Sequence, residues 1–139
     1  MMVPKWPELN FYNMEKTSVK KHLAREHITV NAEGKSVGRL ASKIAVLLQG
    51  KYKPSYNHAK DEGDFVKVVN ADKMQFTGTK YEQKKYYSYS GFPGGLKEKK
   101  LSTLYPKNPE KVIELAVFNM LPKNRLRNSQ LKRLTFIKK

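Results

Sequence analysis

Two segments of the chain carry apolar side chains at the period of an amphipathic helix. In residues 36–49 they recur at every third or fourth position, and Gly50 follows where a C-terminal cap belongs. The second segment begins at Asn108, Pro109 and Glu110, which together form a favourable helix start. It ends near Leu121, because a proline at position 122 disfavours helical geometry in the residue before it. The pattern therefore predicts two helices, each with one apolar face.

Four short segments have the pattern of β-strands. Residues 27–31 and 73–77 alternate apolar and polar side chains, residues 65–70 are almost continuously apolar, and residues 134–137 are placed to close the sheet. The continuous apolar run predicts a strand that is buried on both faces. Helices that separate and flank several short strands favour an α/β layered domain, whose strand order does not follow from the pattern.

The length of 139 residues suits one domain with a single core. Residues 1–25 have no clear apolar period, and Trp6, Phe11 and Tyr12 stand there among prolines and polar residues. We expect residues 1–25 to be an N-terminal arm that packs against a neighbour, and residues 26–139 to be the domain. The arm lacks the apolar centre of a signal peptide, and no apolar run reaches the length of a membrane span.

The charge balance points to a polyanionic partner. The chain has 28 Lys and Arg against 12 Asp and Glu, a net charge of +16, and such a surface repels itself unless a polyanion neutralises it. The last acidic residue is Glu114, so the C-terminal segment is purely basic. The basic residues are not gathered on one amphipathic helix, which disfavours a membrane-surface role. The absence of cysteine excludes disulfides and thiolate metal sites.

Residues 80–100 combine lysines, aromatic rings and glycines. Rings stack on unpaired bases, lysines neutralise phosphates, and glycines allow a partner's backbone to come close. We interpret the segment as an RNA-docking loop, and the alternative is an exposed basic hairpin whose tyrosines pack on the domain. The candidate RNA-binding residues here are Lys80, Lys84, Lys85, Tyr86, Tyr87, Tyr89, Gly91, Gly94, Gly95, Lys97, Lys99 and Lys100.

Further candidate RNA contacts flank the two predicted helices. They are Lys35, Arg39, Lys51 and Lys53 around the first helix, and Lys123, Arg125, Arg127, Lys132 and Arg133 after the second. The tripeptide at residues 34–36 is similar to the end of a phosphate-binding loop, but the first glycine of that motif would fall on Thr29. The NTPase interpretation therefore fails, although a helix N-terminus beside Lys35 could accept a phosphate of RNA.

One acidic segment offers an alternative of a different class. Asp61, Glu62 and Asp64, with His58 nearby, could bind a divalent metal and act as a hydrolase site, or they could form an ordinary polar turn. The hydrolase hypothesis predicts metal-dependent turnover that is lost on Asp64→Asn. Nothing else in the sequence supplies a nucleophile or a fixed metal spacing. We therefore predict no catalytic residues, no metal site and no cofactor.

Four blocks of sequence resemble the family of large-subunit ribosomal protein thirteen, in the same order between residues 28 and 136. They are SVGRLASKIAVLLQGKYKP, GDFVKVVNADKMQFTGTK, YYSYSGFPGGLKEK and PEKVIELAVFNMLPKNRLRNSQLKRL. The resemblance implies a three-layer α/β/α domain with a small, mostly parallel four-stranded sheet and no catalysis. It also implies binding to large-subunit ribosomal RNA early in subunit assembly, with neighbouring large-subunit proteins as further partners and no membrane or small-molecule substrate.

Individual positions match the family's motifs, and the ends of the chain depart from them. Gly38, Arg39 and Leu40 fit the family's helix start, and residues 91–95 fit its glycine loop. Asn31 stands where bacterial members usually have Asp, and the arm is longer than theirs. The segments YEQKKYYSYSGFPGG and MLPKN are similar to mitochondrial members, so the resemblance favours a mitochondrial over a bacterial ribosome. An alternative function is regulation, in which the protein binds its own messenger RNA. It would use the same surface as binding to ribosomal RNA.

Overall fold

The computed structural model describes residues 25–137, which form ten regular helices and strands and one short 3-10 turn at Ala71–Lys73. The predictions for the arm, including those for Trp6, Phe11 and Tyr12, concern residues outside the described range. No helix within residues 25–137 is both long and apolar enough to cross a membrane. In chain order the elements are β1 (His27–Asn31), α1 (Val37–Gln49), β2 (Phe65–Val69), α2 (Lys80–Gln83), β3 (Lys85–Tyr89), β4 (Leu96–Lys100), α3 (Leu101–Lys107), α4 (Pro109–Met120), α5 (Arg127–Leu131) and β5 (Leu134–Ile137).

A parallel three-stranded sheet in the order β1-β2-β5 is the framework of the domain. Its register aligns Val66 with Ile28 on one side and with Leu134 on the other. Strands β3 and β4 form a separate antiparallel pair. The predicted α/β class and the parallel sheet are confirmed, although the sheet has three strands within the described residues rather than four.

The predicted strand at residues 73–77 is replaced by a turn and a single bridge. Asn70 adopts a left-handed φ of 57°, which ends β2 and starts the 3-10 turn. The Tyr105 hydroxyl then donates to the Asp72 carbonyl at 2.6 Å, and this holds the turn against α3. Only Gln75 pairs in the manner of a strand, through a bridge with Ser36. The alternating pattern was a poor guide here because a left-handed residue diverts the chain before it can pair.

Strand β2 is buried on one face only, so the prediction of burial on both faces is wrong for residues 25–137. Val66 and Val68 are fully buried, whereas Lys67 is exposed, as are its register partners Thr29 and Thr135. Because side chains alternate across a strand, these polar residues share the opposite face. Among residues 25–137, this face of the sheet is therefore partly open.

The two predicted helices are confirmed, and they build the core against the buried face of the sheet. Helix α1 buries the apolar stripe from Leu40 to Leu48, and Gly50 caps it with a left-handed φ of 71°. Helix α4 starts at Pro109 and buries Ile113 and Val117 in the same apolar cluster. Burial of each such side chain contributes about 1.5–3 kcal/mol to folding. This core fixes the positions from which the basic segments extend.

Candidate nucleic-acid interface

Residues 80–100 form a short helix followed by a β-hairpin, which we call the basic hairpin (residues 84–100). Strands β3 and β4 pair Lys85 with Lys100, and Tyr89 with Leu96. The hairpin is fixed at its base, because Leu101 is only 1% exposed and its backbone N–H donates to the Lys84 carbonyl at 2.9 Å. The rest of the hairpin has no buried residue. It is therefore an anchored projection whose side chains are free to meet a partner.

The two faces of the basic hairpin carry different candidate residues. Since side chains alternate along a strand, Tyr87 and Tyr89 share a face with Leu96, while Lys97 and Lys99 share the other face with Tyr86. Tyr87 and Tyr89 are 60% and 65% exposed, and Phe92 at the tip is 74% exposed. The alternative in which the tyrosines pack on the domain therefore does not hold for Tyr87 and Tyr89.

Tyr86 has a different environment from the other two candidate tyrosines. Its ring is half-buried, and burial raises the pKa of its hydroxyl. The Lys84 ammonium lies 5.3 Å from the centre of the ring, within cation-π distance. Tyr86 therefore carries the Lys84 ammonium over its ring and lies on the same hairpin face as Lys97 and Lys99, away from Tyr87 and Tyr89.

The glycines at the tip are required by the hairpin itself. Gly91 and Gly94 have left-handed φ angles of 89° and 73°, which side chains rarely adopt. A Cβ on Gly95 would overlap the hydroxyl of Ser90. The sequence interpretation gave these glycines a role in contact with RNA, whereas the structure explains all three by the geometry of the turn.

The lysines of the hairpin divide into paired and unpaired ammonium groups. Lys85 forms an exposed ion pair with Glu98 at 2.9 Å, and the hydrogen bond from Lys85 to this carboxylate raises the pKa of the lysine. No described carboxylate lies within ion-pair distance of the remaining candidates in this region, and all of them are exposed: Lys80, Lys84, Lys97, Lys99 and Lys100. These five are available to neutralise phosphates.

A second basic surface lies at the start of α1. Lys35, Arg39 and Lys80 line a groove of about 720 Å³, which we call the α1 groove. The backbone of Gln75 donates to the Lys35 carbonyl at 3.1 Å, so residues 75–80 are held alongside the start of the helix. Lys43 lines the same groove, and the sequence interpretation missed it. Its spacing of four residues from Arg39 places it on the same side of a helix and could have identified it.

Lys53 has a partner inside the protein. Its ammonium is 2.6 Å from Asp64, a fully buried carboxylate that also accepts the Glu26 N–H at 2.9 Å and the Tyr52 hydroxyl. Burial alone would raise the pKa of Asp64, but the hydrogen bonds from Lys53, Tyr52 and Glu26 outweigh it and lower the pKa. Burial and the Asp64 carboxylate raise the pKa of Tyr52 to about 12. Lys51, in contrast, is exposed.

Arg133 is also held inside the protein. Its side chain is 5% exposed, and its guanidinium donates to Asp61 at 2.6 Å and to the Leu48 carbonyl at 3.0 Å. Gly63 lies against this carbonyl so closely that a Cβ would overlap it. The arginine therefore ties the segment before β5 to the C-terminal end of α1.

The acidic segment is held by ion pairs and hydrogen bonds within the protein. Asp61 and Asp64 are paired with Arg133 and Lys53, and Glu62 accepts a hydrogen bond from Ser55 at 2.8 Å. Among the residues that the structure describes, no three His, Asp or Glu side chains are grouped to hold a metal. The observed ion pairs support the polar-turn alternative over the hydrolase hypothesis.

The candidates after α4 also divide into two groups. Arg127 is half-buried, its guanidinium lies 3.4 Å from the centre of the Phe118 ring, and its Nε donates to the Phe118 carbonyl at 2.7 Å. It joins α5 to α4. Lys123, Arg125 and Lys132 are exposed and have no carboxylate within ion-pair distance in residues 25–137.

We predict that Arg133→Ala and Lys132→Ala affect different properties: the first lowers the stability of the fold, and the second lowers the salt dependence of RNA binding. Arg133→Ala leaves Asp61 without its main partner and should lower the free energy of unfolding by about 3–5 kcal/mol, with the salt dependence of RNA binding unchanged. Lys132→Ala should leave stability within about 0.5 kcal/mol of the wild type and reduce the salt slope by about one. Urea unfolding and RNA titrations at several salt concentrations measure both. Equal effects of the two variants on the salt slope would contradict this division.

The fold and this surface define a small basic α/β domain of the kind that binds a polyanion. Residues 25–138 match the sequence model of the family described as ribosomal protein L13, and the chain belongs to that family. The resemblance seen in the four sequence blocks is therefore confirmed.

Several curated relatives are similar over most of the chain, and each is named large ribosomal subunit protein uL13. The protein of Aquifex aeolicus is 54% identical over 114 residues, which cover 82% of this chain and 79% of the relative. The Thermosipho africanus protein is 48% identical and covers 87% and 83%, and the Thermus thermophilus protein is 50% identical and covers 86% and 85%. These relatives are bacterial, so they do not support the preference for a mitochondrial ribosome.

Proposed function

We propose that this protein is a structural, non-enzymatic constituent of the large ribosomal subunit, where it binds large-subunit ribosomal RNA. The observation that carries the proposal is membership of the ribosomal protein L13 family, with bacterial large-subunit proteins about half identical over more than four-fifths of the chain. Because these relatives are bacterial proteins, we propose a ribosome of the bacterial type. Neighbouring large-subunit proteins are the second class of partner, and residues 1–25 are the arm that meets them.

The exposed and unpaired cations are the groups that we assign to phosphate contacts. Four of the predicted cations are not assigned to phosphates, because each has a partner within the protein: Lys53, Lys85, Arg127 and Arg133. Each remaining cation that neutralises a phosphate releases counterions, which makes the affinity depend on salt. The remaining candidates are Lys35, Arg39, Lys51, Lys80, Lys84, Lys97, Lys99, Lys100, Lys123, Arg125 and Lys132.

Tyr87 and Tyr89 are the groups that we assign to base stacking. They lie on one face of the basic hairpin, two residues apart, and more than half of each is exposed. Stacking of a splayed base on such a ring contributes about 1–3 kcal/mol. Charge alone does not select a site, so the specificity comes from the shape of the RNA that brings a loop or bulge to this face.

Tyr89→Leu is expected to weaken RNA binding by about 1–3 kcal/mol, because the base loses its stacking surface. The stability of the protein should not change, since the ring is 65% exposed. Leu96→Ala is the matched control, because Leu96 is the cross-strand partner of Tyr89 on the same face and has no ring. Filter binding at one fixed salt concentration measures both variants. Equal losses for Tyr89→Leu and Leu96→Ala would indicate a general apolar contact and contradict stacking.

Residence in the large subunit is tested by sedimentation. The tagged protein, expressed in the cells that encode it, should sediment with large subunits and not with small ones in a gradient at low magnesium. Its crosslinked RNA, once sequenced, should come from large-subunit ribosomal RNA. A protein that stays at the top of the gradient, or crosslinks mainly to its own messenger RNA, would contradict the proposal.

A further inference from the structure

Gly38 is the one glycine among the eight in the chain for which residues 25–137 supply no reason. Five of the others have left-handed φ angles, and in Gly63 and Gly95 a Cβ would overlap a neighbouring atom. Gly38 lies in the first turn of α1 and is exposed, and a Cβ there would have no atom of the described residues within 4 Å. Glycine destabilises a helix relative to alanine, so its presence in this position needs a cause outside the described residues.

The surroundings of Gly38 indicate what that cause is. The residue lines the α1 groove, and Lys35, Arg39, Lys43 and Lys80 line it as well. All four cations are exposed, and none has a carboxylate within ion-pair distance in the described part of the chain. No Asp or Glu lines the groove. The groove therefore has four unpaired positive charges around a point where the side chain is missing.

We propose that the α1 groove holds a stretch of RNA backbone that passes directly over Gly38. This inference rests on the proposed function and names the part of the surface where the backbone comes closest. Successive phosphates on either side of Gly38 are neutralised by the four cations of the groove, which are Lys35, Arg39, Lys43 and Lys80. A phosphodiester chain carries a charge at every nucleotide, which matches a groove with four cations and no carboxylate. Absence of a side chain at residue 38 allows the contact with the helix surface.

Substitutions of Gly38 separate this contact from folding. Gly38→Ala and Gly38→Gln should raise the melting temperature by roughly 2–5 °C, because both residues favour a helix. The same variants should weaken binding to large-subunit RNA, several-fold for alanine and roughly 5- to 100-fold for glutamine, because the longer side chain occupies the path of the backbone. A rise in the melting temperature together with a loss of RNA binding would show that the glycine serves the contact with RNA and not the stability of the fold.

Two further variants serve as controls for the groove. Val46→Ala changes an exposed residue of the same helix outside the groove and should leave the RNA affinity unchanged. Lys43→Gln should reduce the log-log salt slope by about one, because it removes one phosphate contact. A wild-type slope for Lys43→Gln would contradict the placement of the backbone in this groove.

The outcomes distinguish this inference from the proposed function. If the wild type binds large-subunit RNA and Gly38→Gln binds it equally well, the groove inference is wrong while the proposed function stands. If Gly38→Gln binds isolated RNA normally but no longer enters large subunits, the groove holds a protein segment, and the inference is also wrong. If the wild type does not bind the RNA at all, the proposed function fails and the inference fails with it.

Discussion

Asp64→Ala is expected to lower the free energy of unfolding by about 3–5 kcal/mol, a large part of the roughly 5–15 kcal/mol that holds a typical domain together. Asp64 is fully buried and accepts hydrogen bonds from Lys53, Tyr52 and the Glu26 backbone. Its removal leaves the Tyr52 hydroxyl and the Glu26 N–H without this acceptor. It also leaves the Lys53 ammonium, which is 17% exposed and still donates to the Glu62 carbonyl at 3.1 Å, without its counter-charge. Urea unfolding followed by circular dichroism measures the loss.

The acid dependence of stability tests the same site. The pKa of Asp64 is lowered in the folded protein, so its stabilisation is fully present above the unfolded pKa of about 3.9. This stabilisation is lost as the pH falls through the folded pKa. The difference in the free energy of unfolding between the wild type and Asp64→Asn should therefore become smaller in that pH range. Asp72→Asn is the control, because Asp72 is an exposed carboxylate, and its effect should stay within about 0.5 kcal/mol. A gap between wild type and Asp64→Asn that is constant down to the acid transition would contradict the assignment.

Replacing Lys84, Lys97 and Lys99 together by glutamine is expected to produce the largest loss of RNA binding. These ammonium groups lie with Tyr86 on one face of the basic hairpin and have no carboxylate partner among residues 25–137. If each contacts one phosphate, the log-log salt slope should fall by about 2–3, because each contact contributes about 0.7–0.9. RNA titrations between low and moderate salt measure the slope.

The matched control for the hairpin removes the same charge elsewhere. Lys67, Lys73 and Lys111 are exposed, and Lys73 and Lys111 form surface ion pairs that contribute little to stability. Their triple replacement by glutamine changes the net charge equally but leaves the hairpin intact. It should reduce the slope much less. Equal losses in the two triple variants would show that net charge alone governs binding and would contradict a defined interface.

The elements with long and regular patterns were predictable from the sequence. Helix α1 was predicted from its apolar period and from Gly50, because the cap and the apolar face are both local properties of the chain. The start of α4 followed from Pro109 in the same way. The segment at residues 73–77 was not predictable, because its conformation depends on the left-handed turn at Asn70 and on a hydrogen bond from Tyr105 to the carbonyl of Asp72, 33 residues earlier.

The candidate interface was predictable as a region but not residue by residue. Arg133 is paired with Asp61, which is 72 residues earlier, and no local pattern distinguishes it from the exposed Lys132. The same holds for Lys53, whose partner Asp64 lies 11 residues later, directly before β2. The placement of Tyr87 and Tyr89 on one face of the hairpin and of Lys97 and Lys99 on the other depends on the strand register, which the sequence interpretation of residues 80–100 as a loop did not include.

The salt dependence of binding to large-subunit ribosomal RNA tests the central claim most directly. If about ten exposed cations each contact a phosphate, the affinity of the full chain should fall steeply with salt, with a log-log slope of about −7 to −9. An unrelated basic domain of equal net charge, titrated in parallel, shows how much of this is non-specific. A nearly flat affinity for the ribosomal RNA, or no measurable binding at moderate ionic strength, would contradict the claim.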